Sequence, residues 1–127
     1  MSGMTHPLAR ARGHGSAKKG AHHWLVQRAS AVLLLFLVPW MVYALICVAG
    51  ADHAEAALFA ARPLNASLLI LSLLTVLYHG QLGLQVVIED YVHRPAVEIG
   101  LQFLVRGMTL LAAILGVVHI LQLALGA

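Results

Sequence analysis

Three long stretches of this chain carry almost no charge, and they constrain its fold more than any other feature. Residues 29–51, 64–88 and 101–125 contain between them a single arginine and no acidic side chain. Each stretch exceeds the roughly 20 residues that a helix needs to cross about 30 Å of hydrocarbon, and is too evenly apolar for a barrel strand. We therefore predict an all-α membrane protein with three transmembrane helices, at about residues 24–51, 64–90 and 97–125.

The composition excludes a soluble globule. Apolar residues make up 61% of the 127 residues and charged residues only 10%, whereas soluble domains carry about 25% charged residues. We expect one membrane-anchor domain over residues 1–127, with a flexible basic arm at 1–23. A lone cysteine, Cys47, excludes an internal disulfide, a CxxCH haem attachment and an iron–sulfur cluster held by this chain alone.

Positive charge is concentrated on one side of this topology. Only Arg62 lies in the first loop, whereas six basic residues lie before or at the start of the first helix or in the second loop: Arg10, Arg12, Lys18, Lys19, Arg28 and Arg94. The positive-inside rule then predicts a cytoplasmic N-terminus and a C-terminus on the outer side, so the basic bias indicates topology and not nucleic-acid binding.

The first apolar stretch bears on localisation. It is longer than the 7–15-residue apolar region that is typical of a cleaved signal peptide. We expect a multi-pass protein of the bacterial inner (cytoplasmic) membrane. A mitochondrial inner membrane is the less favoured alternative, kept open because no acidic residue precedes Asp52.

A histidine inside a membrane helix is energetically costly and often marks a function. His79 lies nine residues before Ile88, hence roughly 13 Å from the inner end of its helix. Either it is a neutral imidazole that donates to a neighbouring helix, or it is an axial ligand of haem. Gly80 and Gly83 beside it permit close approach of a flat macrocycle or of another helix.

Polar residues gather at the inner ends of the first two helices. Asp90 follows His79 by eleven residues and lies within roughly 20° of the same face, with Tyr91 next to it. These two are either a plain interfacial helix end or groups that hydrogen-bond a carbonyl. Arg28 is either an inside charge or a partner for a haem propionate or quinone oxygen. His22 lies about 120° around the helix from Arg28, so the two need not share a partner.

Two runs carry a family resemblance. The run from His79 to Gly83 (HGQLG), followed by Val87 to Val92 (VIEDYV), resembles the hydrophobic membrane anchor, or D subunit, of succinate dehydrogenase. The segment Gln27 to Ala31 (QRASA), preceded by His22 and Trp24, resembles the entry to the first helix of that subunit. With three spans, the resemblance covers about residues 22–125.

The resemblance implies a non-catalytic subunit of succinate:ubiquinone oxidoreductase. His79 would be an axial ligand of a haem b shared with a second cytochrome b anchor subunit. Tyr91 would hydrogen-bond a ubiquinone carbonyl with Asp90 beside it, and Arg28 and His22 would lie near the haem propionates or the quinone site. The implied further partners are an iron–sulfur subunit, a flavoprotein subunit and membrane lipid, with no nucleic acid.

Other interpretations remain open from the residues. The anchor of a fumarate reductase would have a similar sequence, although electrons there flow towards fumarate. The sequence of this subunit does not fix the direction of electron flow. A small transporter subunit or membrane scaffold without haem is the alternative from another class. It predicts no haem spectrum and no iron–sulfur partner.

Overall fold

The computed structural model describes residues 18–126, and side chains from residue 20 onward. It contains four helices, α1 (Lys18–Val48), α2 (His53–Ala61), α3 (Pro63–Tyr91) and α4 (Pro95–Leu125), and no strand within that range. The three longer helices are each long and apolar enough to cross a membrane. The predicted all-α membrane fold with three spanning helices is confirmed.

Local sequence signals account for the helix boundaries. Pro63 and Pro95 each open a helix at its first turn, where the missing N–H has no helical partner to lose. Gly126 ends α4 with a left-handed φ of 70°, a conformation that costs glycine little.

Two boundaries differ from the sequence prediction. Helix α1 begins at Lys18, so residues 18–23 belong to the helix; the rest of the predicted arm, residues 1–17, lies outside the described residues. Helix α2 lies in the segment expected to be a plain connection. Its start is stabilised by a capping box in which Asp52 Oδ1 accepts from the Glu55 amide at 2.8 Å and Glu55 Oε2 accepts from the Asp52 amide at 3.3 Å.

Helix α3 lies between α1 and α4. It contacts both, and α1 and α4 make no contact with each other within the described part of the chain. Ser30 of α1 meets His79 of α3, and Gly116 of α4 faces Leu73 of α3, so both neighbours run antiparallel to α3. The short helix α2 packs across the end of α3 and α4 that is remote from His79, where Asn65 Nδ2 donates to the Phe59 carbonyl at 2.8 Å.

Burial marks the face that α1 turns toward α3. Its three buried residues are Ser30, Leu37 and Ala44, which recur every seven residues and therefore form one stripe. Most other large apolar side chains of α1 and α4 are exposed, and α4 has no buried residue. Lipid or partner helices are the surroundings that such apolar surface requires.

Candidate functional site

A polar contact joins α1 to α3 inside this apolar surface. Ser30 Oγ lies 2.9 Å from His79 Nδ1, although the two residues are 49 positions apart. Ser30 also donates to the Gln27 carbonyl at 2.9 Å. Its side chain is 9% exposed, so it is held at the helix contact. His79 is therefore not an isolated imidazole, and its partner comes from the neighbouring helix.

An open cleft lies beside His79, between α1 and α3. It has a volume of about 410 Å³ and is lined by Trp24, Gln27, Arg28, Ala31 and His79. The Arg28 guanidinium lies 5.0 Å from the centroid of the Trp24 ring, at a distance that favours a cation–π contact. The cleft thus combines a guanidinium, an amide and an imidazole with an indole ring, groups suited to a flat ligand that carries carboxylates.

The two glycines after His79 face open space. A Cβ added at Gly80 or Gly83 would meet no atom within 4 Å. Neither glycine therefore serves close packing between helices of this chain. The space beside them is open to either of the two groups named above, a flat macrocycle or a helix from outside the described chain.

The structure brings only some of the predicted site residues together. Arg28 and His79 share the cleft, whereas His22 is exposed and does not line it. Asp90 and Tyr91 lie at the end of α3, roughly 16–18 Å along the helix from His79. Both are exposed, Tyr91 by 78%.

The histidine of α4 lies far from His79. His119 of α4 donates from Nδ1 to the Leu115 carbonyl at 2.7 Å within its own helix. Because Gly116 faces Leu73, the antiparallel register places His119 roughly 14 Å along the bundle from His79. Among residues 18–126, no three His, Cys, Asp or Glu side chains group as a metal site; a haem iron would need only one nitrogen from this chain.

Two hydrogen-bonding side chains of the cleft and contact, those of Ser30 and Gln27, were given no role in the sequence analysis. Both occur in the QRASA run that carried part of the resemblance. Ser30 was detectable in principle, because it is a small polar residue at seven-residue spacing from Leu37 within an apolar run. The sequence could not show that His79 is the residue it faces.

Comparison with known families shows which proteins this chain is related to. The succinate dehydrogenase/fumarate reductase transmembrane subunit family matches residues 2–122. The chain belongs to this family. No solved structure matches it with significance.

Individual relatives agree with the family assignment. The succinate dehydrogenase hydrophobic membrane anchor subunits of Rickettsia bellii and Rickettsia conorii are 40% and 36% identical to the chain, over 67% of its length and 68% of theirs. The succinate dehydrogenase membrane anchor subunit of Reclinomonas americana is 29% identical over 70% of the chain and 77% of that protein. The resemblance seen in the HGQLG and VIEDYV runs is thus confirmed as a family relationship.

Proposed function

We propose that the chain is the membrane anchor subunit of a succinate dehydrogenase and helps to bind haem b and ubiquinone for electron transfer from succinate to quinone. The observation that carries the proposal is the position of His79. His79 lies in a spanning helix and lines an open cleft together with Arg28, and the chain belongs to the family described above.

The side chains of the cleft suit a haem. His79 has one ring nitrogen engaged by Ser30 and would offer the other to a haem iron. Arg28, held against Trp24, offers hydrogen bonds to a propionate. Gly80 and Gly83 leave room beside the histidine. When bound, haem b supplies a one-electron carrier within the membrane.

A haem held by His79 would need a second protein ligand, and hence a partner subunit. The other described histidines of the spanning helices, His22 and His23 of α1 and His119 of α4, lie roughly 10–14 Å along the bundle from the level of His79. We infer that the second ligand belongs to a second cytochrome b anchor subunit that covers the cleft. Iron–sulfur and flavoprotein subunits complete the complex, and lipid covers the remaining apolar surface of α1 and α4.

The quinone would bind at the end of α3. The exposed Tyr91 phenol can donate one hydrogen bond to a quinone carbonyl while its ring stays in the interface. Asp90 beside it can accept and release protons there. With a cytoplasmic N-terminus, this end faces the cytoplasm in a bacterial inner membrane, on the side where electron-donating subunits would dock.

The test is a pair of histidine variants in the purified complex. His79→Ala should remove the haem signal from the reduced-minus-oxidised spectrum or change its coordination state. His119→Ala makes the same substitution in α4 and should leave the spectrum unchanged. Equal haem content and an unchanged spectrum in both variants would defeat the haem assignment, and a wild-type complex without haem would favour a scaffold.

A fumarate reductase anchor is the second candidate, because the description of the family names both enzymes. The relatives described above are named as succinate dehydrogenase subunits, which favours the first. Comparing succinate oxidation with fumarate reduction by the purified complex, each with its native quinone, separates the two.

A further inference from the structure

The contact between Ser30 and His79 has a role that the family assignment does not supply. We propose that Ser30 is a positioning residue, which orients the His79 ring and fixes its proton on Nδ1, so that Nε2 is the nitrogen presented to iron. The inference rests on the proposed haem site and concerns how this chain prepares its own ligand.

Counting protons gives the tautomer. A serine hydroxyl has one proton to donate and lone pairs with which to accept. Ser30 lies 2.9 Å from the Gln27 carbonyl, which can only accept, so the hydroxyl proton points there. The same oxygen lies 2.9 Å from His79 Nδ1. For both contacts to be hydrogen bonds, Nδ1 must carry the proton and donate it to Ser30.

This arrangement leaves the other ring nitrogen with a free lone pair. A neutral imidazole that is protonated on Nδ1 has its lone pair on Nε2, the form in which histidine ligates a metal. Among the described residues, no hydrogen bond to His79 Nε2 is present, while His79 lines the cleft. The contact with Ser30 thus engages Nδ1 of His79 and leaves Nε2 available to a ligand.

The contact is also placed to hold the ring still. Ser30 belongs to the buried stripe that continues through Leu37 and Ala44, so its hydroxyl is anchored by the packing of α1 on α3. In a part-buried contact of this kind, an imidazole N–H without an acceptor is costly. Hydrogen bonds of this kind to metal-bound histidines raise the basicity of the ligand, and their loss typically weakens metal binding 10- to 100-fold.

The experiment uses the intact complex and three readouts other than turnover: haem content per flavin, haem midpoint potential and the low-spin ferric EPR signal. Ser30→Ala should retain haem roughly 10- to 100-fold more weakly. Its residual haem should have a more positive midpoint potential, because a less basic ligand stabilises ferric iron less. Ser30→Thr keeps the hydroxyl and should match wild type.

Two controls separate the hydroxyl from shape. Ser67→Ala removes another helix-bonded serine, one that donates to the Pro63 carbonyl at 2.8 Å and is remote from His79; it should change none of the readouts. Ser30→Val has the shape of Ser30→Thr without a hydroxyl. If Ser30→Ala does not assemble, this pair decides: haem and potential preserved in Thr but not in Val support the proposal, and equal behaviour overturns it.

Failure of this inference is distinguishable from failure of the proposed function. A wild-type complex without haem, or a His79→Ala complex with normal haem, defeats both. Normal haem that depends on His79, with content, potential and EPR signal unchanged in Ser30→Ala, defeats the role of Ser30 alone.

Discussion

Helix α3 contacts the other two spanning helices in ways that differ in kind. We call the contact of Ser30, Leu37 and Ala44 with the face of α3 that carries His79 the α1–α3 seam. In this seam, a hydrogen bond joins Ser30 of one helix to His79 of the other. In the α3–α4 seam, where Leu73 covers Gly116, polar side chains bond within their own helix. Gln85 donates to Glu89 at 2.8 Å, and Gln102 donates to Glu98 at 3.3 Å.

The two seams differ in whether polar side chains or only small and apolar ones bring the helices together. A small residue allows close helix approach in a membrane without any polar contact, which describes Gly116. In the α1–α3 seam, a hydrogen bond joins the two helices beside an open cleft, which fits the proposed role of His79. Under the proposed function, the α1–α3 seam positions the haem-binding histidine, and the α3–α4 seam supports the helix that carries it.

The largest effect is expected beyond both seams, at the end of α3. Tyr91→Phe keeps the ring and removes the donor. Losing one hydrogen bond in a desolvated pocket costs about 1–3 kcal/mol, which corresponds to a roughly 5- to 150-fold fall in succinate–quinone turnover. Haem content, assembly and succinate oxidation with a soluble artificial acceptor should be retained.

The control for this experiment is Tyr43→Phe, which removes the same group from an exposed tyrosine toward the opposite end of α1. It should leave quinone turnover normal. Normal turnover in Tyr91→Phe as well would remove Tyr91 from the proposed quinone site and confine the chemistry to the α1–α3 seam.

Next in size is a change that disrupts the α3–α4 seam. A Cβ at Gly116 would overlap the Leu73 side chain, and overpacking of this kind costs about 1–3 kcal/mol. Gly116→Val should lower the thermal midpoint of the complex, measured by differential scanning calorimetry, and leave the haem spectrum of the intact fraction unchanged.

Gly107→Val tests the same substitution where an added Cβ meets nothing within 4 Å in this chain. It should be the milder of the two. If Gly116→Val instead shifts the haem spectrum, the two seams are coupled and the separation between them fails.

The smallest effect is expected at the mouth of the cleft. Arg28→Gln removes the cation that lies over Trp24. Under the proposed function, it also removes the charge that would pair with a haem propionate. An exposed ion pair contributes about 0.2–1 kcal/mol, so haem retention should fall roughly 1.5- to 5-fold, measured as the rate of haem loss in detergent. Arg94→Gln makes the same charge change at the start of α4, away from the cleft, and should have no effect. Equal rates in both variants would place Arg28 outside the site.

Several features were within reach of the sequence. The three spans, the proline starts of two of them and a histidine in mid-helix follow from residues that are neighbours in the chain. Helix α2 was missed although its Asp52 and Glu55 capping pair is visible in the sequence, because a short connection was expected there. That Arg28 shares a cleft with His79, and that His22 does not, required the packed helices.

The sequence by itself determined the number and position of the spans, because backbone groups in lipid must find hydrogen bonds within the same helix. Only the tertiary structure decided which faces meet. In water, an apolar stripe identifies the face of a helix that packs. Helices α1, α3 and α4 are apolar around most of their circumference, so no such stripe separates a packing face from a lipid face. The meeting of Ser30 with His79, from which the arrangement of the site follows, depends on side-chain fit between segments 49 residues apart.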